Sequence, residues 1–160
     1  MATETKLRQL ADKGCPVYYF YSSERYLVRQ AVTAITRILT ADSDEDATAL
    51  DGAAPEIEQL IMAAGTISFF GTRRVVVLPE IDPAAYSDKD LEELNSTLSS
   101  LENAVVVLGS VFELERSKLK TGKRAQKLIA QCKALGYTEE LAKPKPFELK
   151  MMMIDRAKEQ

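Results

Sequence analysis

Val17-Tyr18-Tyr19-Phe20-Tyr21, running straight into Ser22-Ser23-Glu24-Arg25-Tyr26-Leu27, is the stretch that decides the fold. Five apolar or aromatic residues in a row suit a strand buried on both faces, as in a parallel sheet. Ser22 or Ser23 is placed to cap a helix in which Leu27, Ala31, Ala34, Ile35 and Ile38 keep helical spacing. Strand, tight turn, amphipathic helix is the opening unit of a doubly wound α/β domain.

The same alternation continues downstream. Ala47 to Asp51 reads as a weaker strand ending at Asp51-Gly52. Pro55 opens a helix with Ile57, Leu60, Ile61 and Ala64 on one face, stopped by Gly65. Arg74 to Leu78 is a third strand, closed by Pro79, and Ser87-x-x-Asp90 starts a helix carrying Leu91, Leu94, Leu98 and Leu101. Ala104 to Leu108 is a fourth strand. A basic helix follows, with Leu128, Ile129, Cys132 and Leu135 inward and Lys120, Lys123, Arg124 and Lys127 on the other side. Gly136 ends it, Tyr137 to Leu141 gives a fifth strand, and Lys143-Pro-Lys-Pro146 is a linker into a last helix with Phe147, Met151, Ile154 and Ala157 in register. The expected architecture is a three-layer α/β domain, a parallel sheet with helices on both faces. Function belongs at the carboxyl ends of the strands of such a sheet.

Composition narrows the chemistry. The 160 residues contain no histidine, which removes histidine-based triads, histidine metal ligands and the commonest general base. Cys15 and Cys132 are far apart, without CxxC spacing, and read as reduced thiols of a cytoplasmic protein. No apolar run approaches the roughly twenty residues of a membrane span, and the polar start MATETKLRQLADKG lacks the apolar core of a signal peptide. The net charge of −3 hides an asymmetry: residues 1–110 carry nine bases and seventeen acids, residues 111–160 twelve bases and seven acids. No acid interrupts the bases from Arg116 to Lys133.

A phosphate-binding turn after the first strand needs glycines to open backbone amides, a lysine for charge and a hydroxyl for Mg²⁺. Tyr21 to Leu27 has no glycine and no lysine, and it places the carboxylate of Glu24 where a phosphate would sit. The chain's one Gly-Lys pair, Gly122-Lys123, lies at the basic helix instead. No cofactor, metal or catalytic residue is expected, and an ATPase with an unorthodox site is the alternative class.

Thr66-Ile67-Ser68-Phe69-Phe70, between Gly65 and Gly71, sets three large apolar side chains in a helix-to-strand connection. Such connections are ordinarily polar. Two readings stand: Phe69 and Phe70 pack under the sheet edge, or they form an exposed plug for another protein's pocket.

The strand Val-Tyr-Tyr-Phe-Tyr with Ser-Ser-Glu-Arg-Tyr-Leu resembles the opening of the delta subunit of bacterial DNA polymerase III, the clamp-loader arm. Leu50-Asp51-Gly52, then Phe70-Gly71-Thr-Arg-Arg-Val-Val-Val77, then Ala104-Val-Val-Val-Leu108 with its basic helix resemble that family's later segments in order. Ser22 stands where the family usually has glycine, and Phe69 where leucine is usual. The resemblance implies a degenerate P-loop, AAA+-like (RecA-like) domain without a phosphate loop. It also implies residues 1–142 as a clamp-binding domain and 143–160 as linker and start of a helical lid in a truncated chain. Ile67, Phe69 and Phe70 are the implied contacts to the beta sliding clamp. The other implied partners are the gamma/tau and delta prime loader subunits and primed DNA reached through the assembled complex. Read from the charge run itself, Lys120, Lys123, Arg124 and Lys127 are either DNA contacts or simply the solvated face of the helix. The family is part of the polymerase III holoenzyme, a nucleotidyltransferase, but no intrinsic activity is expected of this chain.

Overall fold

A computed structural model describes residues 4–41, 46–65 and 73–142. In chain order the elements are α1 (Glu4–Asp12), β1 (Val17–Ser22), α2 (Arg25–Thr40), β2 (Thr48–Ala49), α3 (Ile57–Gly65), β3 (Arg74–Leu78), α4 (Asp88–Ser99), β4 (Ala104–Val111), β5 (Leu114–Glu115), β6 (Lys118–Leu119), α5 (Gly122–Leu135) and β7 (Tyr137–Glu140). Five strands form one parallel sheet in the order β2-β3-β4-β1-β7. The fold is the expected α/β sandwich of three layers.

Register explains why the central strands are apolar throughout. Val17 lies opposite Val106, which lies opposite Val76, and these side chains share one face with Tyr19, Leu78, Ala104 and Leu108. α3, α4 and α5 cover that face with Ile57 and Leu60, Leu91, Leu94 and Leu98, and Leu128 and Cys132. The alternate residues Tyr18, Phe20, Val75, Val77, Val105 and Val107 point the other way, onto Leu7 and Leu10 of α1 and Leu27, Val28 and Ile35 of α2. A strand with helices on both sides has no solvent face on which to keep polar residues.

Three expected elements differ in detail. The second strand is only Thr48–Ala49, because it is an edge strand paired on one side alone. Ile61, expected on the inward face of its helix, is 51% exposed. β4 runs three residues beyond Leu108, through Gly109 and Ser110 to Val111. Gly109 is needed there: a Cβ would come within 2.4 Å of the Pro79 carbonyl oxygen and 2.8 Å of Val28 Cγ1. Ser110 is buried but satisfied. Its hydroxyl donates to the Ile81 carbonyl at 2.8 Å and accepts from the Tyr19 phenol at 2.6 Å. The helix start read at Ser87 is as expected, with the hydroxyl accepting from the Asp90 amide at 3.1 Å.

Burial pushes the Tyr18 and Tyr86 phenols from 10 up to about 12, and the Cys132 thiol from 9 up to about 12. All three acids are therefore held neutral in the fold and ionise first in the unfolded chain. Their contribution is whole below the ordinary values and is lost as pH climbs. Urea unfolding midpoints are expected to fall between pH 9 and about 12, with no matching decline at neutral pH from these groups.

Candidate functional site

The carboxyl ends of β1, β3, β4 and β7 meet around the turn after β1. Ser22, the last residue of β1, is buried, and its hydroxyl donates to the Leu141 carbonyl at 2.6 Å and accepts from the Glu24 amide at 3.1 Å. The serine thus ties β1 to the chain beyond β7 instead of capping α2. Glu24 is the N-cap residue by position and makes no side-chain cap bond. This corrects the expected cap at Ser22 or Ser23: the strand continues one residue further and consumes the hydroxyl. Arg25 opens α2, a place where the helix dipole disfavours a cation, and its Nε donates to Glu80 Oε1 at 2.6 Å beyond the end of β3. An anion entering this turn finds the Glu24 amide already bonded to Ser22 and neither glycine nor lysine between Tyr21 and Leu27 to hold it.

Two open clefts flank the turn. One, of about 680 Å³, lies toward β7 and is lined by Tyr21, Glu24, Leu114, Lys118, Ile129 and Glu140, among others. The other, of about 530 Å³, lies toward β3 and includes Arg25, Glu80, Asp82, Glu113 and Lys120. No cluster of three or more potential metal ligands occurs among the described residues.

Between β4 and α5 the chain forms a hairpin that the sequence reading missed. β5 and β6 pair antiparallel, Leu114 with Leu119 and Glu115 with Lys118, leaving Arg116-Ser117 as a two-residue turn. Both turn residues have positive φ, 53° and 67°, the requirement of a type I′ turn. The usual signal, Asn-Gly, is absent. A non-glycine residue in this region costs roughly 1–2 kcal/mol, against roughly 0.5–1 kcal/mol of extra chain entropy lost by a glycine. Ser117→Gly is therefore expected to stabilise the protein by about 0.5–1 kcal/mol, read as a raised urea midpoint.

The basic residues divide. Lys123 and Lys127 are exposed on α5, opposite the side that buries Ala125, Leu128 and Cys132. Lys120 precedes the helix, whose N-cap residue is Thr121, so it is not part of the helical face expected for it. Arg124 donates through Nε to Asp88 Oδ1 at 3.0 Å, joining α5 to the first residue of α4. Both side chains of this pair remain exposed, 43% for Arg124 and 85% for Asp88, so the contact is a weak surface ion pair.

Ile67, Phe69 and Phe70 lie outside the described residues. Their flanks are fixed: the amide of Arg74 donates to the Asn103 carbonyl at 2.9 Å, and Arg73 Nη1 donates to the Gly14 carbonyl at 3.2 Å. On the approaching helix α3, Ile61 and Met62 are 51% and 72% exposed. Ile61, Ala64, Ser96, Thr97 and Leu101 contribute to a groove of about 320 Å³ between the ends of α3 and α4. Residues 143–160, expected to carry the linker and last helix, also lie outside the described residues. No described helix is long and apolar enough to cross a membrane.

The family model for DNA polymerase III, delta subunit, matches residues 18–135, from the second residue of β1 to the last of α5. No curated protein matches the chain significantly. The matched range holds four of the five sheet strands, the turn at Ser22, segment 66–72 and the basic helix, and on it the chain belongs to the DNA polymerase III delta subunit family, a family of the replicative clamp loader.

Proposed function

We propose that the chain grips the beta sliding clamp through Ile67, Phe69 and Phe70 and favours a ring geometry incompatible with closure. The observation that carries this reading is the position of the trio: inside the family match and directly after a helix whose Ile61 and Met62 are exposed. Three apolar side chains contribute roughly 1.5–3 kcal/mol each on burial. That is a large part of the approximately 8 kcal/mol of a micromolar complex. Ile61 and Met62 supply the rim.

The role is mechanical. A ligand shifts a ring between closed and open forms only by binding one form better. The gamma/tau and delta prime subunits are the chain's partners in the loader, and ATP bound by neighbouring loader subunits would govern access to segment 66–72, in the cytoplasm and at primed DNA. The turn at Ser22 supports this division, because its hydroxyl and one of its amides are already engaged and the turn carries Glu24 but no lysine or glycine. The test is titration of the protein with sliding clamp and, separately, with ATP in a calorimeter. Micromolar clamp binding without ATP binding is expected; the opposite pattern returns the chain to the ATPase class.

A further inference from the structure

The chain contains one aspartate followed directly by glycine, Asp51-Gly52, in the connection from β2 to α3. Residues 51–54 are exposed in succession. The chain is anchored on both sides of the pair. The Leu50 amide donates to the Val77 carbonyl at 2.8 Å, and the Ala53 carbonyl accepts from the Asp82 amide at 2.7 Å. Between those anchors the Gly52 amide has no hydrogen-bond partner among the described residues. The Asp51 carboxylate has neither a hydrogen bond nor an ion pair there. Gly52 stands at φ 109°, a conformation that residues with a Cβ rarely adopt, so the turn requires glycine after the aspartate.

We infer that Asp51-Gly52 is a site of spontaneous backbone modification, at which aspartate isomerises to isoaspartate. The Gly52 amide nitrogen attacks the side-chain carboxyl carbon of Asp51 in its acid form. The new N–C bond closes a succinimide ring, and the carboxyl hydroxyl leaves as water with the amide proton. Water then opens the ring at either carbonyl. Opening at the side-chain carbonyl restores aspartate; opening at the main-chain carbonyl leaves the chain running through Cβ and Cγ. Water is the only other reactant, and the mass is unchanged. Glycine permits the attack because it sets no side chain against the carboxyl group. The other exposed aspartates lack this: Asp12, Asp46, Asp88 and Asp90 are each followed by a residue with a Cβ, and Asp82 by proline, which has no amide proton. Isoaspartate adds one carbon to the main chain, about 1.5 Å of bond, between the two anchors. The strain falls on the Asp82–Ala53 bond and on Pro55, whose carbonyl accepts from the buried Tyr86 phenol at 3.0 Å.

The experiment incubates the intact protein for several weeks in mildly acidic buffer under native conditions and maps isoaspartate by electron-transfer fragmentation of its peptides. The isomer is expected at residue 51. Its rate of formation should lie within about tenfold of that in a free peptide of residues 46–56, since an exposed amide without a partner needs no opening of the fold. Asp51→Glu would have to close a larger ring and should abolish the product, while leaving the fresh protein's urea midpoint near wild type. Asp51→Asn should accelerate ring closure, losing ammonia in place of water. Aged wild type should unfold at lower urea than fresh protein, and aged D51E should not. Three results overturn the inference: no isoaspartate at residue 51, no more of it there than at Asp12 or Asp46, or a native rate more than about a hundredfold below that of the peptide. The last would mean that the fold withholds the Gly52 amide. Aged protein that carries the isomer yet keeps the fresh midpoint overturns the strain at the anchors.

Discussion

Phe70→Ala is expected to weaken the chain's binding to the sliding clamp by about 2 kcal/mol or more, roughly thirtyfold. Central aromatic anchors dominate interface energies because they are fully desolvated and surrounded by contacts that exclude water. Ile67→Ala and Phe69→Ala should each cost somewhat less, and the three losses should not sum, since each truncation alters the pocket seen by the others. Rim substitutions at Ile61 or Met62, partly wet before and after binding, should change affinity by less than about 1 kcal/mol. The measurement is calorimetric titration, with cooperative urea unfolding as the control for fold. Unchanged affinity in a folded variant removes Phe70 from the interface, and loss of cooperative unfolding places its ring in the core.

Gly136→Ala is expected to cost about 3 kcal/mol or more of stability, among the largest effects of any single methyl group in this chain. The added Cβ would stand 2.1 Å from the Val17 carbonyl oxygen and 3.0 Å from the carbonyl carbon. Those atoms are backbone at the start of β1, which pairs with β4 on one side and β7 on the other. A flexible side chain could step aside; a central strand cannot without breaking its ladders. Gly109→Ala should behave similarly, against the Pro79 carbonyl. Gly65→Ala is the control, because nothing lies within 4 Å of its Cβ position and its substitution should be close to neutral. Urea midpoints of the three variants test the ordering directly. A Gly136→Ala protein as stable as wild type would mean that the α5–β7 junction shifts freely against β1.

The sheet-and-helix alternation was legible in the sequence because it follows from local periodicity. Val17 to Tyr21, Arg74 to Leu78 and Ala104 to Leu108 are uninterrupted or nearly so, as strands covered on both faces must be. Leu91, Leu94 and Leu98 recur at helical spacing because one face of α4 meets the sheet. The apolar trio in segment 66–72 and the run of bases after Arg116 were also visible as residues, since an apolar cluster in a loop and an unbroken charge run depart from ordinary composition.

Tertiary structure alone decided the rest. The placement of β4 between β1 and β3 is a matter of crossover connections, not of any local pattern. Ile61 fits the apolar spacing of α3 yet lies at the border of the stripe, and only the packing of that helix against the sheet exposes it. The turn at Arg116-Ser117 carries no glycine, so its hairpin was invisible to a rule based on glycine and asparagine. Arg124 looks like the lysines around it until the fold brings Asp88, 36 residues away, within 3.0 Å. Periodicity records which way a side chain points relative to its own element. Which charge it meets, and whether a hydroxyl such as that of Ser22 caps its own helix or ties down a distant strand, depends on groups that only the folded chain brings together.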